Sequence, residues 1–264
     1  MFLAGPCLLY AHLPLVSQAN GKIAVTHDYY KSIKPVTYYI HPVSGSDDNS
    51  GLSKANAFKS IERINTLNLH PGDSILLAAD QVFTGSIRLH GQSGNRQHPI
   101  FLGSVQWDNK ASKMPATIDF KGRLTGILIS DCSFWEIKNI RLTADGYGPV
   151  NENGSMRCAV LLQNGQAKEM NNIRLEHLII DKVYYENPGY RRGNEEVKSA
   201  NGTQRYGWGI RIINKQPAAL IHNIEIASCN ISDVSHTGIK LTGAKYNIRD
   251  VRIIGNHLLR TGGP

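Results

Sequence analysis

Cysteine is scarce. Cys7, Cys132, Cys158 and Cys229 are the four in 264 residues, too widely spaced for a metal knuckle and too few for a disulfide framework. Cys132, Cys158 and Cys229 read as small apolar residues. Dense basic runs are missing as well: the formal net charge of +8 is carried by lysines and arginines scattered singly between apolar residues. With no zinc-type Cys and His spacing either, the common nucleic-acid modules are disfavoured, and the reading is of no nucleic-acid partner. The positive balance still favours an anionic partner, and charge alone does not choose among nucleic acid, a lipid surface and an acidic polysaccharide. No stretch beyond the N-terminus is long and apolar enough to span a bilayer. Signs of disorder or of a second independent domain are lacking too, so one elongated domain is expected.

The N-terminal stretch Met1–Ala19 has no charge, is mostly apolar and ends Val-Ser-Gln-Ala, with Ser17 and Ala19 placed as a signal peptidase requires. It reads as a secretory signal over 1–19 followed by a linker over 20–35, which puts the protein outside the cytoplasm, secreted or periplasmic. Because the basic segment that opens such signals is missing, a wrongly assigned start or an apolar N-terminal piece of the fold is the alternative.

What is present is an internal repeat. Four segments share an alternating apolar pattern and a further aliphatic residue seven positions after the first: Trp135-Glu-Ile with Leu142, Ile173-Arg-Leu with Ile180, Ile224-Glu-Ile with Ile231, and Val251-Arg-Ile with Leu258. Each is preceded by a short apolar strand opened by a small residue, namely Gly126-Ile-Leu-Ile, Ala159-Val-Leu-Leu, Gly209-Ile-Arg-Ile and Gly238-Ile-Lys-Leu. Period-two alternation with Asn, Asp and Gly between the segments predicts strands and tight turns. The last two units stand 27 residues apart, too short for a strand-helix-strand unit. The pattern therefore predicts a coil of parallel strands, three per turn, with Ile127, Val160, Ile210 and Ile239 in one interior column and Trp135, Ile173, Ile224 and Val251 in another. Longer intervals earlier in the chain predict insertions over about 144–157 and 184–207, both at the corner before the first strand of the next turn.

Ahead of the repeats, Phe58, Ile61, Ile64 and Leu67 predict one amphipathic helix that caps the open end of the coil. The cap and first rungs occupy 36–104 and the remaining rungs 105–264. With no second cap legible before Gly262-Gly-Pro264, the reading is of a coil truncated at its C-terminus. The run Gly45-Ser-Asp-Asp-Asn-Ser-Gly51 reads as a turn in preference to a Ca²⁺ loop. Tyr38-Tyr-Ile followed by this run, Phe58-Lys-Ser-Ile with Pro71-Gly-Asp-Ser-Ile, and the Asn-Ile-x-Ile and Gly-Ile-x-Leu rungs together resemble the secreted pectate-lyase-like family from about Val36 to the end. The resemblance implies an all-β, right-handed parallel β-helix that acts on polysaccharides as a lyase, a glycoside hydrolase or an epimerase. It matches no one catalytic signature, and it implies Ca²⁺ as a cofactor that such lyases can use.

On a parallel coil, outward residues of successive turns stack about 4.8 Å apart. One outward column is Leu128, Leu161, Arg211 and Lys240; another is Glu136, Arg174, Glu225 and Arg252. The second alternates in sign and reads as structural. The first leaves two cations adjacent, and an acidic sugar is a fitting partner. For β-elimination Lys240 is the candidate base, Arg211 the charge stabiliser and His236 a second acid or base. A solvated basic face is the plainer reading of the same residues and the weightier one. The second insertion and its flank bring Tyr184, Tyr190, Arg191, Arg192, Tyr206 and Trp208, residues that stack on sugar rings and fork onto carboxylates. Asp181, Glu186 and Asp233 are candidates for a hydrolytic acid pair, ranked below elimination because such Asp residues more often close turns. A polysaccharide-binding β-helix without turnover is the non-enzymatic alternative.

Overall fold

The computed structural model describes residues 18–19, 22–23, 34–108, 111–146, 156–184 and 206–262. Two compact units divide at Lys34 and Pro35. In the first, Gln18–Ala19 and Lys22–Ile23 pair antiparallel; the remainder of the expected signal segment lies outside the described residues. The second is a coil of three parallel sheets. A seven-stranded sheet runs Thr37–Ile40, Ser74–Ala78, Ile100–Val105, Trp135–Lys138, Glu169–Glu176, Leu220–Ala227 and Ile248–Ile254. A six-stranded sheet runs Val82–Thr84, Ala116–Asp119, Ile140–Gly146, Ile179–Val183, Asn230–Val234 and His257–Thr261. Ile87–His90, Thr125–Ser130, Met156–Asn164, Tyr206–Asn214 and Thr237–Thr242 form a five-stranded sheet. Among the described residues no helix is long and apolar enough to cross a membrane.

The interior columns have the predicted register. Ile127, Val160, Ile210 and Ile239 pair rung on rung, as do Trp135, Ile173, Ile224 and Val251. A third column holds Leu142, Ile180, Ile231 and Leu258. Most of these side chains are fully buried in one continuous core, the form that aliphatic stacking along a solenoid axis takes. Both insertions leave the six-stranded sheet and re-enter at the five-stranded one, after Gly146 and after Tyr184.

Corners between the seven- and six-stranded sheets are made by single residues in the left-handed region, Asn139, His177 and Ser228, with φ of 53°, 52° and 52°. Asn and His suit that conformation; Ser is less expected. Each corner is held by its own backbone N–H, which donates to the next rung: Asn139 to Glu176 O, His177 to Ala227 O and Ser228 to Ile254 O, at 3.0 to 3.2 Å. Regular rung stacking thus offsets a strain of about 1 kcal/mol per residue.

Where an amphipathic capping helix is expected the chain forms only a six-residue 3₁₀ helix, Ile61–Thr66, with Ile61 and Ile64 buried. Apolar residues at 58, 61, 64 and 67 recur every three positions, which is the 3₁₀ period and drifts off one face of a 3.6-residue turn. The preceding run is a turn: Asp47 Oδ1 accepts the N–H groups of Lys59 and Ser60 at 2.9 Å each.

Asp131 does comparable work at another corner. Its Oδ1 accepts the N–H groups of Gly165, Gln166 and Ala167 at 2.8, 3.0 and 2.8 Å. Burial raises its pKa, but these bonds outweigh it and hold the carboxyl below the usual range. The folded form thus titrates below the unfolded one, so this stabilisation is present above the unfolded carboxylate pKa and is lost as pH falls through the folded value. Asp131→Asn is expected to cost about 1–2 kcal/mol at neutral pH. Urea titrations of both proteins should show that difference closing as pH drops through the carboxylate range.

Candidate functional site

On the outer face of the five-stranded sheet, Arg88, Leu128, Leu161, Arg211 and Lys240 share one column in the predicted register. Cys158, Trp208 and Thr237 form a second column three residues earlier on the same strands. Leu128, Cys158, Leu161 and Trp208 make a small apolar cluster separate from the main core, with Met156 and Ile213 against it.

Arg211 belongs to this cluster. Its guanidinium carbon stands 4.6 Å from the centroid of the Trp208 ring, and its Nη1 donates to Met156 Sδ at 2.7 Å. The residue is only 8% exposed, and its Nε has no acceptor among the described residues. Lys240, on the next rung, is half-buried. Two unit charges one rung apart repel by about 1 kcal/mol in water and about 3 kcal/mol at an effective dielectric of about 20. Burial first, and then Arg211, hold the Lys240 amine below the ordinary lysine range. Cys158 is no counter-ion, because burial pushes its thiol up to about 12 against the pull of Arg211.

His236 stands beside this pair. Its ring meets Trp208 at 5.2 Å between centroids, its backbone N–H donates to Gly207 O at 3.0 Å, and Nδ1 is bonded to Thr237 Oγ1. Trp208 is fully buried. It therefore presents no open face to a sugar ring, contrary to expectation; its role is to carry the Arg211 guanidinium. Tyr184 is half-buried at the edge of the second insertion. Tyr206 opens the strand beside Met156, and its side chain lies outside the described residues, as do Tyr190, Arg191, Arg192 and Glu186.

The hydrolytic acid candidates are engaged elsewhere. Asp181 takes a two-pronged bond from Arg141, at 2.8 and 2.9 Å, and Asp233 takes one from Arg260, at 2.5 and 2.8 Å. These bonds span adjacent rungs of the six-stranded sheet and read as structural. The alternating column on the seven-stranded sheet is also structural, with Glu225 paired to Arg174 at 2.8 Å and to Arg252. Lys138 ties Glu136 and Glu176 at 2.8 and 3.3 Å.

Sequence patterning did not single out Arg157. It is fully buried and donates to Arg123 O, Tyr184 O and Phe120 O at 3.1, 2.6 and 3.4 Å, so it anchors the backbone where the second insertion departs. Nothing in an arginine at the edge of a strand announces this, since the burial comes from the coil. No group of three or more metal-ligating His, Cys, Asp or Glu side chains occurs among the described residues.

Comparison with known proteins gives a consistent pattern. No family model matches the chain. It is 26% identical over 140 residues to a lacto-N-biosidase of Bifidobacterium longum, covering 44% of this chain and 9% of that protein. The structure is similar to crystal structures of a GH136 lacto-N-biosidase from Eubacterium ramulus. For the selenomethionine form the TM-score is 0.65 with 20% identity, over 86% of this chain and 42% of that one; for the native protein it is 0.61 with 18% identity, over 83% and 40%. This chain thus spans less than half the length of those relatives, and the fold it shares with them is a β-helix found in a carbohydrate-active enzyme.

Proposed function

We propose that this chain belongs to a protein that cleaves glycosidic bonds in a polysaccharide or oligosaccharide, with hydrolysis as the reaction. The observation that carries this reading is that sequence and fold, compared separately, both lead to lacto-N-biosidases. On this reading the outer face of the five-stranded sheet meets the glycan, because both insertions re-enter the coil there and Arg211, Lys240 and His236 gather on it. Export from the cytoplasm fits an enzyme of extracellular glycans and belongs to the same proposal. So do the pectate-lyase-like kinship and a right-handed coil, the hand in which parallel strands are joined in nearly all proteins.

A second reading, β-elimination, is favoured by one feature: Lys240 is an amine of lowered pKa beside a fixed cation. A base of that kind takes the proton next to a uronate carboxylate while Arg211 offsets the charge that develops. Its rate should rise with pH and level off earlier than for an ordinary lysine, because the neutral amine is the active form.

Incubation with neutral and acidic glycans, reading reducing ends together with absorbance at about 235 nm, separates the two. New reducing ends without absorbance are the expected result. A rise in absorbance that Lys240→Ala abolishes would replace hydrolysis with elimination. Neither signal, with glycan binding retained, would leave a binding protein.

A further inference from the structure

Several outward cations elsewhere on this coil meet carboxylates across the rungs. Arg174 and Arg252 flank Glu225, Lys138 reaches Glu176, Arg141 holds Asp181 and Arg260 holds Asp233. Arg211 and Lys240 differ from these in standing on adjacent rungs of one column. Among the described residues neither has an ion pair, although Arg211 is 8% exposed and so is the more deeply buried of the two. Its surroundings are unsuited to a lone charge. Met156 offers a thioether, which is a weak acceptor, Leu128 and Leu161 continue the column with apolar groups, and the buried Cys158 thiol stays neutral.

A buried guanidinium without a counter-ion is costly in a folded protein, and a second cation one rung away adds to that cost. The Trp208 ring, 4.6 Å from the guanidinium carbon, fixes the position of the cation, and the buried Nε–H of Arg211 has no acceptor among the described residues. Such an arrangement is complete only with an oxyanion in it.

We propose that Arg211 and Lys240 form an anion subsite that takes an oxyanion borne on a sugar ring, either a uronate carboxylate or a sulfate ester. The inference rests on the glycan-cleaving reading and narrows it to acidic glycans. Arg211 supplies the fixed, planar donor; Lys240, half-buried at the rim, supplies the second charge and the side from which a ligand enters.

Titration calorimetry on the full chain tests this with oligogalacturonate, a sulfated galactan oligomer, a neutral galactan oligomer and inorganic sulfate. Lys240→Gln is the informative variant, because a half-buried amine is removable without opening the core. One of the two acidic oligomers should bind about tenfold tighter than the neutral one, and Lys240→Gln should erase that margin. Arg211→Lys, which keeps the charge but loses the planar fork, should recover only part of it. Which acidic oligomer gains identifies the source of the oxyanion. Equal affinity for acidic and neutral oligomers, unaffected by Lys240→Gln, would overturn the subsite and leave the glycan-cleaving reading standing. Lys240-dependent binding of sulfate with no binding of any oligomer would keep an anion site but overturn its assignment to a sugar, and the glycan reading with it.

Discussion

Trp135→Ala should destabilise the coil by about 3–5 kcal/mol, the range for deleting a fully buried aromatic side chain. The ring is completely buried, stacked in register between Ile100 and Ile173, and its Nε1 donates to Gln92 O at 2.7 Å. Removing it opens a cavity and leaves that carbonyl without its donor. In a solenoid each rung touches only its neighbours, so a weak rung near the middle also uncouples the two sides. Urea unfolding should therefore show a lower midpoint and a shallower slope. A loss below about 1 kcal/mol would mean that the ring is not a member of the interior column.

Gly209→Ala should cost about 3 kcal/mol, while the same change at Gly91 should cost about 1 kcal/mol. The two test different physics. A Cβ at Gly209 would come within 2.4 Å of Gly238 O and 2.8 Å of Ile231 Cγ2, and a backbone carbonyl held in a ladder has no room to withdraw. Gly91 has nothing within 4 Å of such a Cβ, but its φ is +64°, so only backbone strain opposes the substitution. Thermal unfolding of the two variants in parallel should give midpoint losses in that order. Equal losses would mean that the contact with Gly238 O relaxes and that the tight corner is not what demands glycine at position 209.

Much of the fold was legible because a solenoid makes sequence neighbours in one rung and column neighbours across rungs follow from one repeat. Once Ile127, Val160, Ile210 and Ile239 are aligned, every outward residue one position away is placed too, which is how Arg211 and Lys240 fall on adjacent rungs. The small residues that open the first strands were visible, but their reason was not: Gly126, Ala159, Gly209 and Gly238 sit at an inward corner where two consecutive residues face the core. Four apolar residues at intervals of three fit a short stretch of either helical period, so the pattern alone does not separate the 3₁₀ helix from an α-helix.

The candidate site was legible as a set of outward positions and not as an environment. The same alternation placed Arg174 and Arg211 outside the coil, yet Arg174 is matched by Glu225 and Arg211 lies buried on Trp208. Trp208 itself was expected to face a sugar and instead supports a cation. Asp181 and Asp233, acid candidates by type, are taken up by arginines one rung away.

By itself the sequence determined the architecture, the rung register and the corner at which both insertions enter, because period-two alternation with a recurring repeat has one low-energy solution when each strand must bury a face and pair both edges. Tertiary structure alone decided which outward charges are matched and which are left over. That depends on where side chains from neighbouring rungs reach and how much water remains around them, and a linear pattern fixes neither.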